Sequence, residues 1–494
     1  MLSQFALLIL GFFSQRAMNL YMGAELVGMN GVISNVINIL SVTELGISTA
    51  IVYHLYGALA RKDEAEIASL MNLYRKAYHV FAVLVFAAGM AVLPFIHLFM
   101  KNNSYSLSYI RVLYAMWLVR TVLSYLLTYR KSLLIADQKE YIASITGLIL
   151  NVVSYLAIIL LVTWEQNYLL ALGIGTVTEV VLNIWISWYV EQKYPFLRQR
   201  RKEKSTSSLT KRIVRDLKSL FISRISEKML YCTDNLIISG FIGVGTVGRY
   251  ANYCMITQAI SNILTILANT IQPTVGDYFT EKNRQRNYEI LRQLTFGFFC
   301  IASVVSVGLF SLITPFVRDI WLGPSYELGW GITVFCIVVL LVRIMGLPLS
   351  LVMGVTGLFE KEKNVGASSA LLNLIVSLAL VKPYGMAGVL LGTLLSYLLQ
   401  ILYRYIFYFR DFLEMPGEAL RYAQDIGEYL AVIAGEVLLM QKIVPLIYGA
   451  GGMLLFCVCF LLCIAIPLLL DLVIFGRGWR LQSIVTMVKG MRKA

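Results

Sequence analysis

About fourteen apolar runs punctuate the chain, each at least the roughly 17 residues a helix needs to cross a hydrocarbon core of about 30 Å. They fall near residues 2–20, 31–59, 77–99, 107–129, 141–162, 168–190, 219–240, 250–275, 293–317, 329–357, 364–381, 386–409, 423–441 and 449–475. With 58% hydrophobic residues, 14% charged residues and a mean hydropathy of +0.73, the chain cannot be an ordinary soluble domain. The expected fold is an all-α polytopic membrane protein. The run after Met1 lacks a basic leader and an Ala-x-Ala cleavage site, and reads as a retained first helix rather than a signal peptide.

Charge placement gives the orientation. The net charge of +14 might suggest a nucleic-acid partner, yet about 31 of the 42 Lys and Arg residues sit in alternate connections or at their edges. That is the pattern of cytoplasmic loops, not of a polyanion groove, and it excludes nucleic acid. Arg61, Lys62, Arg75 and Lys76 mark one basic connection, Arg130, Lys131 and Lys139 a second, and Lys282, Arg284, Arg286 and Arg292 a third. The longest connection, Glu191 to Lys218, is the most basic, and it favours anionic lipid headgroups as well as setting orientation. An even number of spans then places both termini in the cytoplasm.

That connection separates two halves that echo each other. GAELVG (Gly23 to Gly28) and GVGTVG (Gly243 to Gly248) are offset by 220 residues, and LNVVS (Leu150 to Ser154) resembles LNLIVS (Leu372 to Ser377) at an offset of about 222. Similar offsets in the same order predict two six-helix lobes related by a pseudo-two-fold axis along the membrane normal. The expected organisation is an N-terminal lobe over 1–190, a basic cytoplasmic linker over 191–218, a C-terminal lobe over 219–410, and two additional helices with a basic tail over 411–494.

Charged residues inside the apolar runs are candidates for function, because a charge facing lipid near the midplane costs several kcal/mol. In RISEKMLYCTDNLIIS, Arg224, Glu227, Lys228, Tyr231, Asp234 and Asn235 fall within a helical stripe about 120° wide. Counting back from Gly243, Asp234 lies about 13 Å and Arg224 about 28 Å along the helix, while Arg16 is about 10 Å from Gly23. The repeat alignment sets Arg16 near Asp234 across the pseudo-axis. Arg120 in WLVRTVL and Arg343 in LLVRIMG are 223 residues apart and both mid-span. Guanidinium groups bind phosphate bidentately, so a cationic, water-filled cavity suits a diphosphate headgroup. A structural ion pair or a snorkelling side chain is the alternative for each of these residues. Glu44 and Glu179 are intramembrane carboxylates suited either to a proton or sodium ion or to a hydrogen bond with a neighbouring helix.

The three His and seven Cys residues show no paired metal spacing, so no metal site or disulfide framework is expected. No Walker loop, nucleophile elbow or paired catalytic carboxylates appear, and an enzyme is not expected.

Four stretches, YMGAELVGMNGVISNVINILSVTELGISTAIVYHLY (Tyr21 to Tyr56), YRKSLLIADQKEY (Tyr129 to Tyr141), TDNLIIS (Thr233 to Ser239) and YGMAGVLLGTLLSYLL (Tyr384 to Leu399), carry a family likeness. Through them the chain resembles the bacterial polysaccharide transporter family of the multidrug/oligosaccharidyl-lipid/polysaccharide exporter superfamily. The resemblance implies a two-lobed bundle around a central cavity, using alternating access to move a glycan on undecaprenyl diphosphate across the bacterial plasma membrane for capsule, exopolysaccharide or O-antigen assembly. Membrane lipids and other polysaccharide assembly proteins are the implied partners. Departures occur where SRISEK stands in place of HKIGG before Thr233, and where FEKEK spans Phe359 to Lys363. The Arg-Asp pair of lipid II flippases aligns with Ser14 and Gln15, so its roles do not transfer.

On this reading Arg224 and Lys228 meet the diphosphate at the cytoplasmic mouth and Arg16 near the midplane. Arg120 and Arg343 add cationic field, Tyr231 and Asn235 line the path, and Asp234 or Glu44 couples a sodium ion or proton. The rival within the superfamily is a cation-coupled multidrug exporter, whose cationic substrates interior arginines would repel. A membrane glycosyltransferase or polymerase would need a large catalytic connection, and a scaffold would leave no solvated cavity.

Overall fold

The apolar runs fold as helices because, in lipid, only internal hydrogen bonding satisfies the backbone. Short polar residues start several of them: the side chains of Asp63, Ser106, Asn167 and Asn283 each accept a backbone N–H from the first turn of the helix that follows. The computed structural model describes residues 2–41, 47–198, 228, 232–279, 283–356, 359–449 and 451–476. Among these residues no strand occurs, and eleven helices are long and apolar enough to cross a membrane. The expected spans 2–20, 31–59 and 219–240 are not among the eleven: they fold as shorter pieces or run into residues outside the description.

Two compact units divide the chain, Met1–Gly248 and Arg249–Ala494. The first unit comprises α1 (Leu2–Ala17), α2 (Gly23–Leu40), α3 (Ile47–Ala60), α4 (Glu64–Val92), α5 (Leu107–Thr128), the short α6 (Lys131–Ala136), α7 (Glu140–Trp164), α8 (Tyr168–Lys193), α9 (232–241) and the first residues of α10 (Val244–Tyr278). Helix α5 is central: it packs on α2, α4 and α8. Close approach at the Gly-rich motifs is possible only without side chains. A Cβ on Gly28 would stand 1.9 Å from the Val244 carbonyl oxygen, and one on Gly248 would stand 1.8 Å from that of Ala24. The two motifs therefore meet reciprocally, Gly28 on Val244 and Gly248 on Ala24, as a local two-fold between repeated sequences requires. Gly23 and Gly243 open both motifs at positive φ, +81° and +141°.

The connection between α4 and α5 clamps this end. Lys101 Nζ donates to the Phe241 carbonyl at 3.0 Å, Asn102 Nδ2 to that of Ile242 at 3.0 Å, and the Ser104 N–H to Glu25 Oε2 at 2.8 Å. Tyr105 OH donates to the Met22 carbonyl at 3.2 Å.

The second unit holds the rest of α10 with α11 (Arg284–Pro315), α12 (Trp330–Val355), α13 (Phe359–Tyr384), α14 (Met386–Ile406), α15 (Pro416–Tyr448) and α16 (Met453–Phe475). Gly388, Gly392 and Ser396 recur every fourth residue on α14 and let α13 come close; a Cβ on Gly388 would meet the Leu380 carbonyl oxygen at 2.3 Å. Helices α15 and α16 both dock on α11. Phe296, Phe299, Tyr429 and Phe475 join all three, with the Phe299 and Tyr429 rings stacked at 4.5 Å. Nearer the basic connections, Arg292 forks onto Asp425 at 2.6 and 3.0 Å.

Candidate functional site

Polar residues at helical spacing make one wet face in the first unit. On α2 and its C-cap, Asn30, Ser34, Asn38 and Ser41 are separated by four, four and three residues; on α5, Trp117, Thr121, Ser124 and Thr128 are separated by four, three and four. Helices α2 and α5 pack together, so these stripes face a common space. The space is a cavity of about 370 Å³, lined by these residues other than Asn30 and Thr128 and completed by Glu179 of α8 and by Lys228.

Arg120 is the central charge of this cavity. Its Nε donates to Glu179 Oε2 at 2.7 Å, and its guanidinium carbon lies 5.5 Å from the Trp117 ring centroid. Trp117 is fixed in turn, donating from Nε1 to Asn30 Oδ1 at 3.2 Å. Gly175 of α8 leaves room for the guanidinium: a Cβ there would stand 3.5 Å from Arg120 Nη1 and 3.2 Å from Ser154 Oγ. The ion pair leaves both partners partly accessible, at 22% and 17% of side-chain surface. Two cations thus face one carboxylate, and the cavity has an excess of positive charge on a rigid aromatic floor. Such a surface can neutralise a phosphate oxygen and stack against an apolar or sugar ring face.

The other expected site residues are dispersed. Lys228 is half-buried and shares the cavity with Arg120. Arg16, in the last turn of α1, is exposed and forms no ion pair among the described residues, so a contact with Asp234 is not seen. Asp234 is buried at 7% exposure in α9, and Asn235 beside it is half-buried. Arg343, on α12 of the second unit, lies over the Tyr397 ring at 5.5 Å. Arg224, Tyr231 and Glu44 lie outside the described residues.

The α2 stripe, Trp117 and Gly175 are site residues that charge-based reading passed over. Their signal was the four-three spacing of small polar residues within apolar runs. Glu179 was recognised as an intramembrane carboxylate, but its partner Arg120 is 59 residues away on another helix, and only packing joins them.

Comparison with known proteins follows the same lines. A family model described as polysaccharide biosynthesis protein matches residues 1–279. Among solved structures, the lipid II flippase MurJ in an inward closed conformation superimposes with a TM-score of 0.69 over 96% of this chain and 98% of that one, at 16% identity. An inward-facing MATE family multidrug transporter of the MOP superfamily gives 0.59 over 81% and 93%, at 13% identity. The Vibrio cholerae MATE transporter VcmN gives 0.52 over 83% and 96%, at 11% identity. At these identities the likeness is one of fold. No curated protein matches the chain in sequence.

Proposed function

From the premise that the chain belongs to the polysaccharide biosynthesis protein family, a multi-pass membrane protein with a flippase and MATE transporter fold, we propose that it translocates a lipid-linked oligosaccharide across the plasma membrane. The cargo is a glycan on undecaprenyl diphosphate, moved by alternating access for capsule, exopolysaccharide or O-antigen assembly. The observation that carries this reading is the cavity in which Arg120 and Lys228 outnumber Glu179.

In that reading the diphosphate displaces part of the Arg120 coordination, taking the place of Glu179 on the guanidinium fork, while Trp117 packs against the first sugar. Glu179 holds Arg120 extended when the cavity is empty and lowers the cost of an unpaired cation in the membrane. Arg16 is a further contact on the path of the headgroup. Asp234 is the proposed coupling carboxylate, taking up a sodium ion or proton in one state of the cycle. The basic connections lie on the cytoplasmic side, as the charge asymmetry supports.

The likeness to MATE transporters favours one second reading, export of a small organic cation. The surplus of positive charge around Arg120 speaks against it, because a cation entering the cavity would meet two like charges. Deleting the gene and locating the lipid-linked sugar separates the two. Accumulation of undecaprenyl-diphosphate-linked glycan on the cytoplasmic leaflet is expected; unchanged glycan distribution with increased sensitivity to cationic dyes would replace the first reading with the second.

A further inference from the structure

Helices α11, α15 and α16 enclose two carboxyl groups with no cation beside them among the described residues. Glu436 of α15 is 3% exposed and Asp471 of α16 is 4% exposed, and Ser303 of α11, fully buried, lies between them. The Ser303 hydroxyl donates to Glu436 Oε2 at 2.6 Å. Glu436 Oε1 and both Asp471 oxygens have no hydrogen-bond partner among the described residues.

The nearest cations on these helices are committed or turned away. Arg292 lies eleven residues before Ser303 on α11, about 16 Å along the axis, and is held by Asp425. Arg318, about 22 Å beyond Ser303, is held by Asp319. Lys442 is exposed and about 120° around α15 from Glu436. On α12, which also packs against α11, Arg343 faces Tyr397. The remaining titratable neighbours, Cys300 on α11 and Tyr429 on α15, supply no positive charge. Below the group, Phe296, Phe299, Tyr429 and Phe475 close an aromatic floor.

Donors and acceptors fix what is missing. A serine hydroxyl has one proton, and here it goes to Glu436. With both carboxyls ionised, three buried oxygens lack a donor and two like charges share a dry site, which cannot stand in a membrane interior. One added proton removes one of the two charges and joins Asp471 to the network: Asp471 donates through it to Ser303 Oγ, and Ser303 continues to donate to Glu436 Oε2, leaving one oxygen of each carboxyl without a donor. We propose that Glu436, Ser303 and Asp471 form a proton-binding site in which the two carboxyls share one proton, fastening α15 and α16 to α11. If Ser303 passes its proton to Glu436 as it accepts that of Asp471, the bound proton moves from one carboxyl to the other with no net change. Release of that proton leaves two negative charges and drives α16 off α11. The docking of these last two helices is thereby tied to proton occupancy, whatever cargo the protein carries.

Infrared spectroscopy of the full-length protein in membranes tests this. The wild type at neutral pH is expected to show the C=O stretch of a protonated carboxyl, shifted in D2O, and the double variant Glu436→Gln/Asp471→Asn to lose one such carboxyl. Thermal stability gives a second readout: the folded wild type holds a proton that the unfolded carboxyls, with ordinary values of about 4, release. Its stability should therefore fall as pH rises from about 4 until the folded protein releases that proton, whereas that of the double variant lacks this fall across the same window. Absence of the band in the wild type, its survival in the double variant, or its appearance only when sodium is removed would overturn the proposal. Should the double variant fail to fold, the wild-type band and its pH-dependent stability still decide.

Discussion

Gly28 of α2 lies against Val244 of α10 so closely that a Cβ would stand 1.9 Å from the valine carbonyl oxygen, and 220 residues later Gly248 repeats the contact on Ala24. Backbone-to-backbone contact of this kind closes the end of the first unit opposite its basic connections, with Lys101, Asn102 and Glu25 bound across it. A transporter that opens on both sides must break it in one state.

Substituting Gly28→Ala or Gly248→Ala forces these helix ends apart, because the obstructing atoms are main chain and cannot rotate away. The buried Val247 is a reporter for the opening. With the seven native cysteines replaced, a Val247→Cys probe should react severalfold faster with a membrane-impermeant maleimide once Gly28→Ala is added. An unchanged rate would mean that the contact is not a gate.

Arg120 and Glu179 support two opposed expectations. Glu179→Gln leaves the guanidinium without its counter-charge, and since both side chains keep about a fifth of their surface accessible, the loss should be about 1–3 kcal/mol of stability. Arg120→Ala costs similar stability but removes the proposed phosphate ligand. Glycan export at matched protein level should fall far more in Arg120→Ala than in Glu179→Gln, with Arg120→Lys between them because lysine keeps the charge but not the fork.

Gly175→Ala tests the positioning of that arginine. The added methyl meets Ser154 Oγ at 3.2 Å and comes into ordinary contact with Arg120 Nη1 at 3.5 Å, so the Ser154 side chain must give by a few tenths of an ångström against the arginine's setting. A loss of about 1 kcal/mol, read as a lowered melting temperature, is expected, and Gly175→Val should lose more and impair export.

Much of the fold was legible in the sequence, and the reason is the membrane itself. Length and apolarity of the runs required helices, and the Gly23–Gly28 and Gly243–Gly248 motifs announced a repeat whose glycines meet in space. The partnership of Arg120 with Glu179 was not legible, since spacing along one helix says nothing of which neighbour faces it. Glu436 in AGEVLLM and Asp471 in LLLDLVIF are lone carboxylates in apolar runs that the sequence reading passed over, because only the packing of α15 and α16 on α11 brings them beside one hydroxyl.

Arg292 and Asp425 anchor α15 to α11 through a bidentate pair in which the carboxylate is 8% exposed. Asp425→Ala should lower stability by about 3–5 kcal/mol by stranding the guanidinium, and Arg292→Met/Asp425→Leu should recover most of it. Thermal unfolding of the three proteins gives the comparison directly.

Transport by the purified protein tests the account most directly. Proteoliposomes carrying an undecaprenyl-diphosphate-linked oligosaccharide are probed with an external enzyme that cleaves only the outward-facing glycan. Wild-type protein should make the inner-leaflet glycan accessible over time, and an Arg120→Ala/Lys228→Ala variant should not. Accessibility no greater than in protein-free liposomes, or equal transport by wild type and variant, would contradict it.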